Sequence, residues 1–299
     1  MAVKEFWQVD AFARERYKGN PCAVVFEGDD IPTDAMQRIA AEMNLSETVF
    51  ILRPSEAGAD YHARIFTPRS ELPFAGHPTV SAAFAVLGRG IAAPSGTPPI
   101  LRQQCGIGII PVEVAGEGEA REFIMTQGVP EYRPTDLDAD TVARMLGCGV
   151  GDVLDHPFEA VSTGVPWLIA VVRDRDVLAA LSPDLGLIEE VCRRLGVIGI
   201  SPISLGAFAE ACSMKVRAFA PGEGVSEDPV TGSANGCIGA YISRHGLLGG
   251  PHPSYRAEQG TEMGRDGEVF VECLPAEDGA LAVRVGGAAV RVMEGKLYL

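Results

Sequence analysis

Positive charge is scarce in this chain of 299 residues: 25 Lys and Arg stand against 40 Asp and Glu, a formal net charge of −15. No run of basic residues with interleaved aromatics occurs. Neutralising phosphates needs clustered Lys and Arg, so a nucleic-acid partner is not expected. An acidic surface still leaves room for an anionic small molecule, because a local pocket can differ in sign from the whole. Long apolar runs are missing too. Nothing approaches the ~18 uncharged residues of a membrane span, and Met1-Ala2-Val3-Lys4-Glu5 has neither the basic nor the apolar region of a signal peptide. No membrane partner is expected, and the cytoplasm is the expected location. The seven cysteines form no C-x-x-C pair and the five histidines lie far apart. Buried free thiols in a reducing compartment are expected rather than a disulfide framework or a metal site.

What is present is an ordinary globular composition, 46% hydrophobic with 22% charged residues, at a length suited to two domains of about 120–170 residues each. The chain also repeats itself. Gly19-Asn20-Pro21 and the apolar run after it are echoed by Gly164-Val165-Pro166, an offset of 145. Arg64-Ile65-Phe66-Thr67-Pro68 returns as Arg217-Ala218-Phe219-Ala220-Pro221, offset 153, and Ala75-Gly76-His77-Pro78 falls opposite Thr231-Gly232-Ser233-Ala234, offset 156. Offsets that only grow are those of a duplicated domain that gained loop residues.

The periodicity predicts a helix over 34–43 with Thr33 as N-cap, and its second copy over 185–195 with Ser182 as N-cap, Pro183 in the first turn and Gly196 as stop signal. Further helices are predicted over 78–87 and 234–244, each just after a glycine. Strands are predicted over 22–26, 48–52, 61–66, 107–114 and 121–126 in the first half. The second half offers 167–172, 207–212, 214–219, 268–273, 280–285 and 288–293. Short connections point to mostly antiparallel pairing. The expected fold is α+β: two pseudo-symmetric domains, each an antiparallel sheet curled around a central helix. Their bounds are placed at 1–117, completed by a last strand near 292–299, and at 118–291, with the active site in the cleft between them.

Three segments place polar residues where apolar strands meet helices. In Asn44-Leu45-Ser46-Glu47-Thr48 a carboxylate sits between a helix end and an apolar strand. It either braces the turn or shuttles a proton. Its counterpart near Ile198-Gly199-Ile200-Ser201-Pro202 has no acid, which would give a shared cleft a direction. In Ala75-Gly76-His77-Pro78-Thr79, and again in Asp228-Pro229-Val230-Thr231-Gly232-Ser233, a turn runs into a helix start whose unpaired N–H groups suit an anion. Equally, His77 suits a capping or core role and Asp228 a simple turn former.

Asn44-Leu45-Ser46-Glu47-Thr48, Leu72-Pro73-Phe74-Ala75-Gly76-His77-Pro78-Thr79 and Glu227-Asp228-Pro229-Val230-Thr231-Gly232-Ser233-Ala234, in that order and with Gly19-Asn20-Pro21 and Phe66-Thr67-Pro68, resemble the PhzF (phenazine biosynthesis) family of the diaminopimelate epimerase fold. The resemblance runs over essentially the whole chain. It implies a homodimeric isomerase without cofactor or metal, acting on a small carboxylic acid. In it Glu47 corresponds to the acid/base, and His77, Asp228 and Ser233, with Gly76, Thr231 and Gly232 at the helix starts, correspond to the substrate site. The epimerase relatives implied by the fold carry a Cys before each of the two glycines, where this chain has Ala75 and Thr231. Two-base racemisation is therefore not expected. One base, Glu47, would move a proton between two carbons of one unsaturated or amino-substituted acid. The rival readings are a thiol-based amino-acid racemase or epimerase and a catalytically inactive small-molecule-binding protein.

Overall fold

A computed structural model describes residues 3–276 and 279–299. The chain begins with β1 (Val3–Ala11), β2 (Asn20–Val25), α1 (Thr33–Met43), β3 (Glu47–Leu52), β4 (Tyr61–Phe66), β5 (Glu71–Leu72), α2 (Gly76–Gly88), β6 (Ile100–Cys105), β7 (Gly108–Ala115) and β8 (Glu122–Thr126). It continues through β9 (Glu131–Pro134), α3 (Ala139–Leu146), β10 (Glu159–Ser162), β11 (Pro166–Val171), α4 (Arg175–Ala180) and α5 (Leu185–Leu195). Then follow β12 (Gly199–Leu205), β13 (Met214–Val216), α6 (Gly232–His245), β14 (Ser254–Gln259), β15 (Gly267–Pro275), β16 (Leu281–Gly287) and β17 (Ala289–Tyr298). Two compact units result, Met1–Met125 with Gly286–Leu299, and Thr126–Val285.

The architecture is α+β, as the sequence predicts. In the first unit β17, β1 and β2 pair antiparallel, as do β3 with β4 and β7 with both β6 and β8. Two pairs are parallel, β2 with β3 and β4 with β6. The second unit repeats the scheme: β9, β10 and β11 are antiparallel, β11–β12 parallel, β12–β13 antiparallel, β13–β14 parallel and β14–β15 antiparallel. The connection within each of these parallel pairs contains a helix, α1, α2, α5 or α6, while α3 lies in the connection of the antiparallel pair β9–β10. A hairpin can only reverse direction, whereas a helical crossover returns the chain to the same end.

In the first unit α2 is the central helix, lying against β1, β2, β3, β4, β6, β7 and β17. His77 through Ala83 are all buried, so this helix is apolar or small on every side, as an enclosed helix must be. Its opposite number α6 packs on β10, β11 and β15 and is buried from Ala234 to Ser243. Each unit also has an outer cluster of apolar side chains. Under α1, Val25, Met36, Ala40, Phe50 and Phe66 pack together, Phe50 and Phe66 edge-to-face at 5.5 Å. Under α3 and α5, Met145, Leu146, Leu168, Ile188, Val191 and Ile200 do the same. Such side chains stabilise by roughly 1.5–3 kcal/mol each on burial.

Several local expectations are corrected. Thr33 is the first residue of α1 and Pro32 its cap; the Thr33 hydroxyl is taken by Arg64 Nη1 at 3.1 Å. The cap of α5 is Asp184, whose carboxylate accepts from Leu187 N–H, so Ser182 and Pro183 lie outside the helix. Residues 207–212 form turns rather than a strand, and the strand expected over 214–219 ends at Val216. The turn 116–119 is the tip of the β7–β8 hairpin. Strands β6 and β14 escape the apolar-alternation test because Gln103, Gln104, Glu258 and Gln259 point into buried polar networks.

Candidate active site

Glu47 is the first residue of β3, three beyond Asn44, which closes α1 in the left-handed conformation at φ 50°. Asn tolerates that region better than most side chains. The turn therefore delivers Glu47 to the mouth of a parallel strand pair, where it faces Cys22 across the β2–β3 register. From α2, His77 reaches the same place. Its Nε2 lies 3.0 Å from Glu47 Oε2, with side-chain exposures of 8% and 16%. The angles do not suit an aligned hydrogen bond, so the distance, not a directional bond, defines this pair.

A buried thiol lies beside the carboxylate. Cys22 is fully buried, and burial together with the nearby Glu47 charge pushes its thiol well above the ordinary range, outweighing the lowering effect of the neighbouring Ser81 hydroxyl and Val49 backbone. It stays a neutral thiol beside the carboxylate. Ser81 lies one turn after His77 on the same face of α2. Gly76 opens the helix and Ala75 caps it with a methyl group and no side-chain hydrogen bond. Thr79 donates to the Ala75 carbonyl at 2.8 Å and accepts from Gln103, which in turn accepts from the Tyr61 hydroxyl.

In the second unit the remaining expected residues form another cluster. The Thr231 hydroxyl donates to Asp228 Oδ2 at 2.6 Å. Gln259, fully buried, holds this turn with four hydrogen bonds: it donates to the Asp228 carbonyl and to Thr231 Oγ1, and accepts from Thr231 N–H and Asn235 Nδ2. Because Gln259 donates to Thr231 Oγ1, the Thr231 proton is committed to Asp228. Ser233 takes part elsewhere, accepting from the indole N–H of Trp167 at 3.1 Å. Gly232 opens α6, its carbonyl accepting from Gln127.

Thus Glu47, Gly76 and His77 come together in the first unit, and Asp228, Thr231, Gly232 and Ser233 belong to the second. Gln259 and Trp167 were not foreseen as site residues. A signal for the former exists: Gln103 and Gln259 stand 156 apart, the same offset as Gly76 and Gly232.

The registers also show what replaces Glu47 in the second copy. Cys22 faces Glu47 in β2–β3; Trp167 faces Gly199 in β11–β12. A Cβ at Gly199 would lie 2.7 Å from Trp167 Cζ3 and would collide with the Phe219 carbonyl. The Trp167 ring fills the space of a side chain there. Ser233, 156 residues after His77, makes its contact with this ring.

Other groups are quieter. Among the described residues no cluster of three or more His, Cys, Asp or Glu has the spacing of a metal site, and no helix is long and apolar enough to cross a membrane. A surface groove in the first unit is lined by His62, Arg64, Glu71 and Cys105. There Arg64 is held bidentately by Glu71 at 2.7 Å, and burial keeps Cys105 protonated.

Residues 9–295 match the model of the phenazine biosynthesis-like protein family. The chain is 34% identical to trans-2,3-dihydro-3-hydroxyanthranilate isomerase of Pseudomonas fluorescens, over 97% of this chain and 98% of the relative. A solved structure of a Bacillus anthracis phenazine biosynthesis protein of the PhzF family superposes with a TM-score of 0.91 at 30% identity, covering 100% of both chains. A hydroxyproline epimerase from Agrobacterium vitis shares the fold, with a TM-score of 0.65 at 12% identity over 99% of this chain and 91% of the other.

Proposed function

We propose that this chain, which belongs to the phenazine biosynthesis-like protein family, is a cofactor-independent isomerase that moves a proton within a small unsaturated or amino-substituted carboxylic acid. Glu47 is the general acid/base: it takes a proton from one carbon and returns it to another carbon of the same molecule. The observation that carries this reading is the asymmetry of the duplicated registers. One copy has a carboxylate 3.0 Å from His77, and the other has Gly199 under an indole. A single base returns the proton it removed, whereas racemisation by opposed bases needs a second one. The residues capping the two helix starts, Ala75 and Thr231, bring no thiol.

The other expected residues are assigned to substrate binding. Gly76 and His77 at the start of α2, and Gly232 and Ser233 at the start of α6, offer N–H and hydroxyl groups suited to a carboxylate. Asp228, fixed by Thr231, is the acceptor for an amino or hydroxyl group. With this reading go a homodimer and a cytoplasmic location. The first compound to test is trans-2,3-dihydro-3-hydroxyanthranilate, after the relative's name. Glu47→Gln removes the ionisable group at constant size, so turnover should fall by 10²–10⁴, the usual worth of a positioned acid/base. Calorimetric affinity for 3-hydroxyanthranilate, used as an unreactive probe, should stay near that of the wild type. A Glu47→Gln enzyme with near-full activity would overturn the assignment.

A further inference from the structure

Resting on the isomerase reading above, we propose that Trp167 is a positioning residue that orients the Ser233 hydroxyl and biases it toward donating to an acceptor group of the substrate, such as its carboxylate. A serine hydroxyl carries one proton and two lone pairs, and on its own it rotates to donate or accept as its partner requires. An indole N–H can only donate. At 3.1 Å from Ser233 Oγ it occupies a lone pair, and it is the partner of that hydroxyl among the described residues. The Ser233 proton is thereby left to point elsewhere. One lone pair remains, so the indole N–H biases the residue toward donating before any ligand arrives.

Trp167 is well built for this. It is 2% exposed, lies within β11, and its ring is held over Gly199, where no Cβ could stand. Its own orientation is therefore locked by packing, and the hydrogen bond transmits that order to a half-buried hydroxyl. The first unit lacks the device. At the register place of Trp167 it has the small, neutral thiol of Cys22, and at the place of Ser233 it has His77, paired with Glu47. One fold position has become a proton-transferring pair in one copy and an oriented hydroxyl in the other. A pre-oriented donor also spares the rotor entropy that binding would otherwise cost.

Trp167→Phe keeps an aromatic side chain but deletes the N–H together with the outer part of the indole that stands over Gly199. Turnover of trans-2,3-dihydro-3-hydroxyanthranilate would be measured for Trp167→Phe, Ser233→Ala and the double variant. We expect kcat/KM to fall about tenfold in Trp167→Phe, the scale of one hydrogen bond, and the double variant to be no worse than Ser233→Ala alone. Losses that multiply instead overturn the proposal, because a ring that only fills space would act independently of Ser233. Nuclear magnetic resonance of 15N-labelled protein gives a readout that needs no catalysis, since the chain has only two tryptophans. The Trp167 indole N–H resonance should move in Ser233→Ala, and in the wild type on titration with 3-hydroxyanthranilate. A resonance indifferent to Ser233→Ala overturns the proposal whatever the enzyme turns over. A wild type without isomerase activity whose indole peak still moves in Ser233→Ala overturns the isomerase reading alone.

Discussion

Trp167 and Gly199 face each other across the parallel pair β11–β12, and the indole ring stands 2.7 Å from where a Cβ on residue 199 would be. The equivalent pair in the first unit is Cys22 and Glu47. Two copies of one motif have thus divided the same volume differently, small thiol with carboxylate in one and large indole with no side chain in the other. Gly199 is required here by close approach, since its backbone needs no left-handed conformation.

Gly199→Ala should therefore destabilise the protein by about 1–3 kcal/mol or more, the cost of overpacking a buried site. Neither neighbour yields easily, one being a backbone carbonyl of Phe219 and the other the ring that holds Ser233. Urea unfolding gives the measurement. A variant as stable as the wild type would show that the ring moves freely.

Glu47→Asp keeps the charge but draws the carboxylate back by one methylene from the His77 ring, now 3.0 Å away. Misplacement on the order of 1 Å costs roughly 10²-fold in reactions that depend on alignment. A loss of about that size in kcat is expected, with KM nearly unchanged. Retention of wild-type kcat would mean that the contact with His77 does not set the geometry of proton transfer.

Gln259→Leu should unfold at lower denaturant than the wild type. Leu fills a similar volume but leaves the Thr231 N–H and the Asp228 carbonyl without the partner they have now. Each orphaned buried group costs about 1–3 kcal/mol. Gln259→Asn, which restores the amide on a shorter stem, should recover little. Equal stability of all three proteins in chemical denaturation would contradict the clamp described for this turn.

Stability should fall as pH rises above about 9. Burial holds the thiols of Cys192 and Cys273 up at about 12 and that of Cys237 at about 11. The unfolded chain ionises these thiols near their ordinary value, ~8.5, while the folded state keeps them neutral. Their contribution is thus complete below the unfolded value and is lost as pH climbs through the folded one. For Cys192 alone the loss by pH 11 is on the order of 3 kcal/mol. Cys192→Ser should flatten the decline of the urea midpoint between pH 9 and 11. An unchanged slope in that variant would remove Cys192 from the account.

The sequence by itself determined the class of fold and its inner repetition. Apolar spacing and the Gly196 stop signal placed α1, α2, α5 and α6 within a few residues, because a helix face is set by local period. The two helix starts were legible for the same reason: Gly76 and Gly232 each follow an extended residue and open a buried helix. Caps were less legible, since Asp184 rather than Ser182 meets the free N–H groups of α5 only once the turn before it has its final path. Strands β6 and β14 were hidden because their glutamines and glutamate look like surface residues until a buried partner is supplied from elsewhere in the chain. Only the tertiary structure decided which residues meet. Glu47 and His77 are 30 positions apart and Trp167 and Ser233 are 66 apart. Parallel register and helix docking bring them to hydrogen-bonding distance. No local property of either residue contains that information, because it belongs to how strands pair and to which helix covers them.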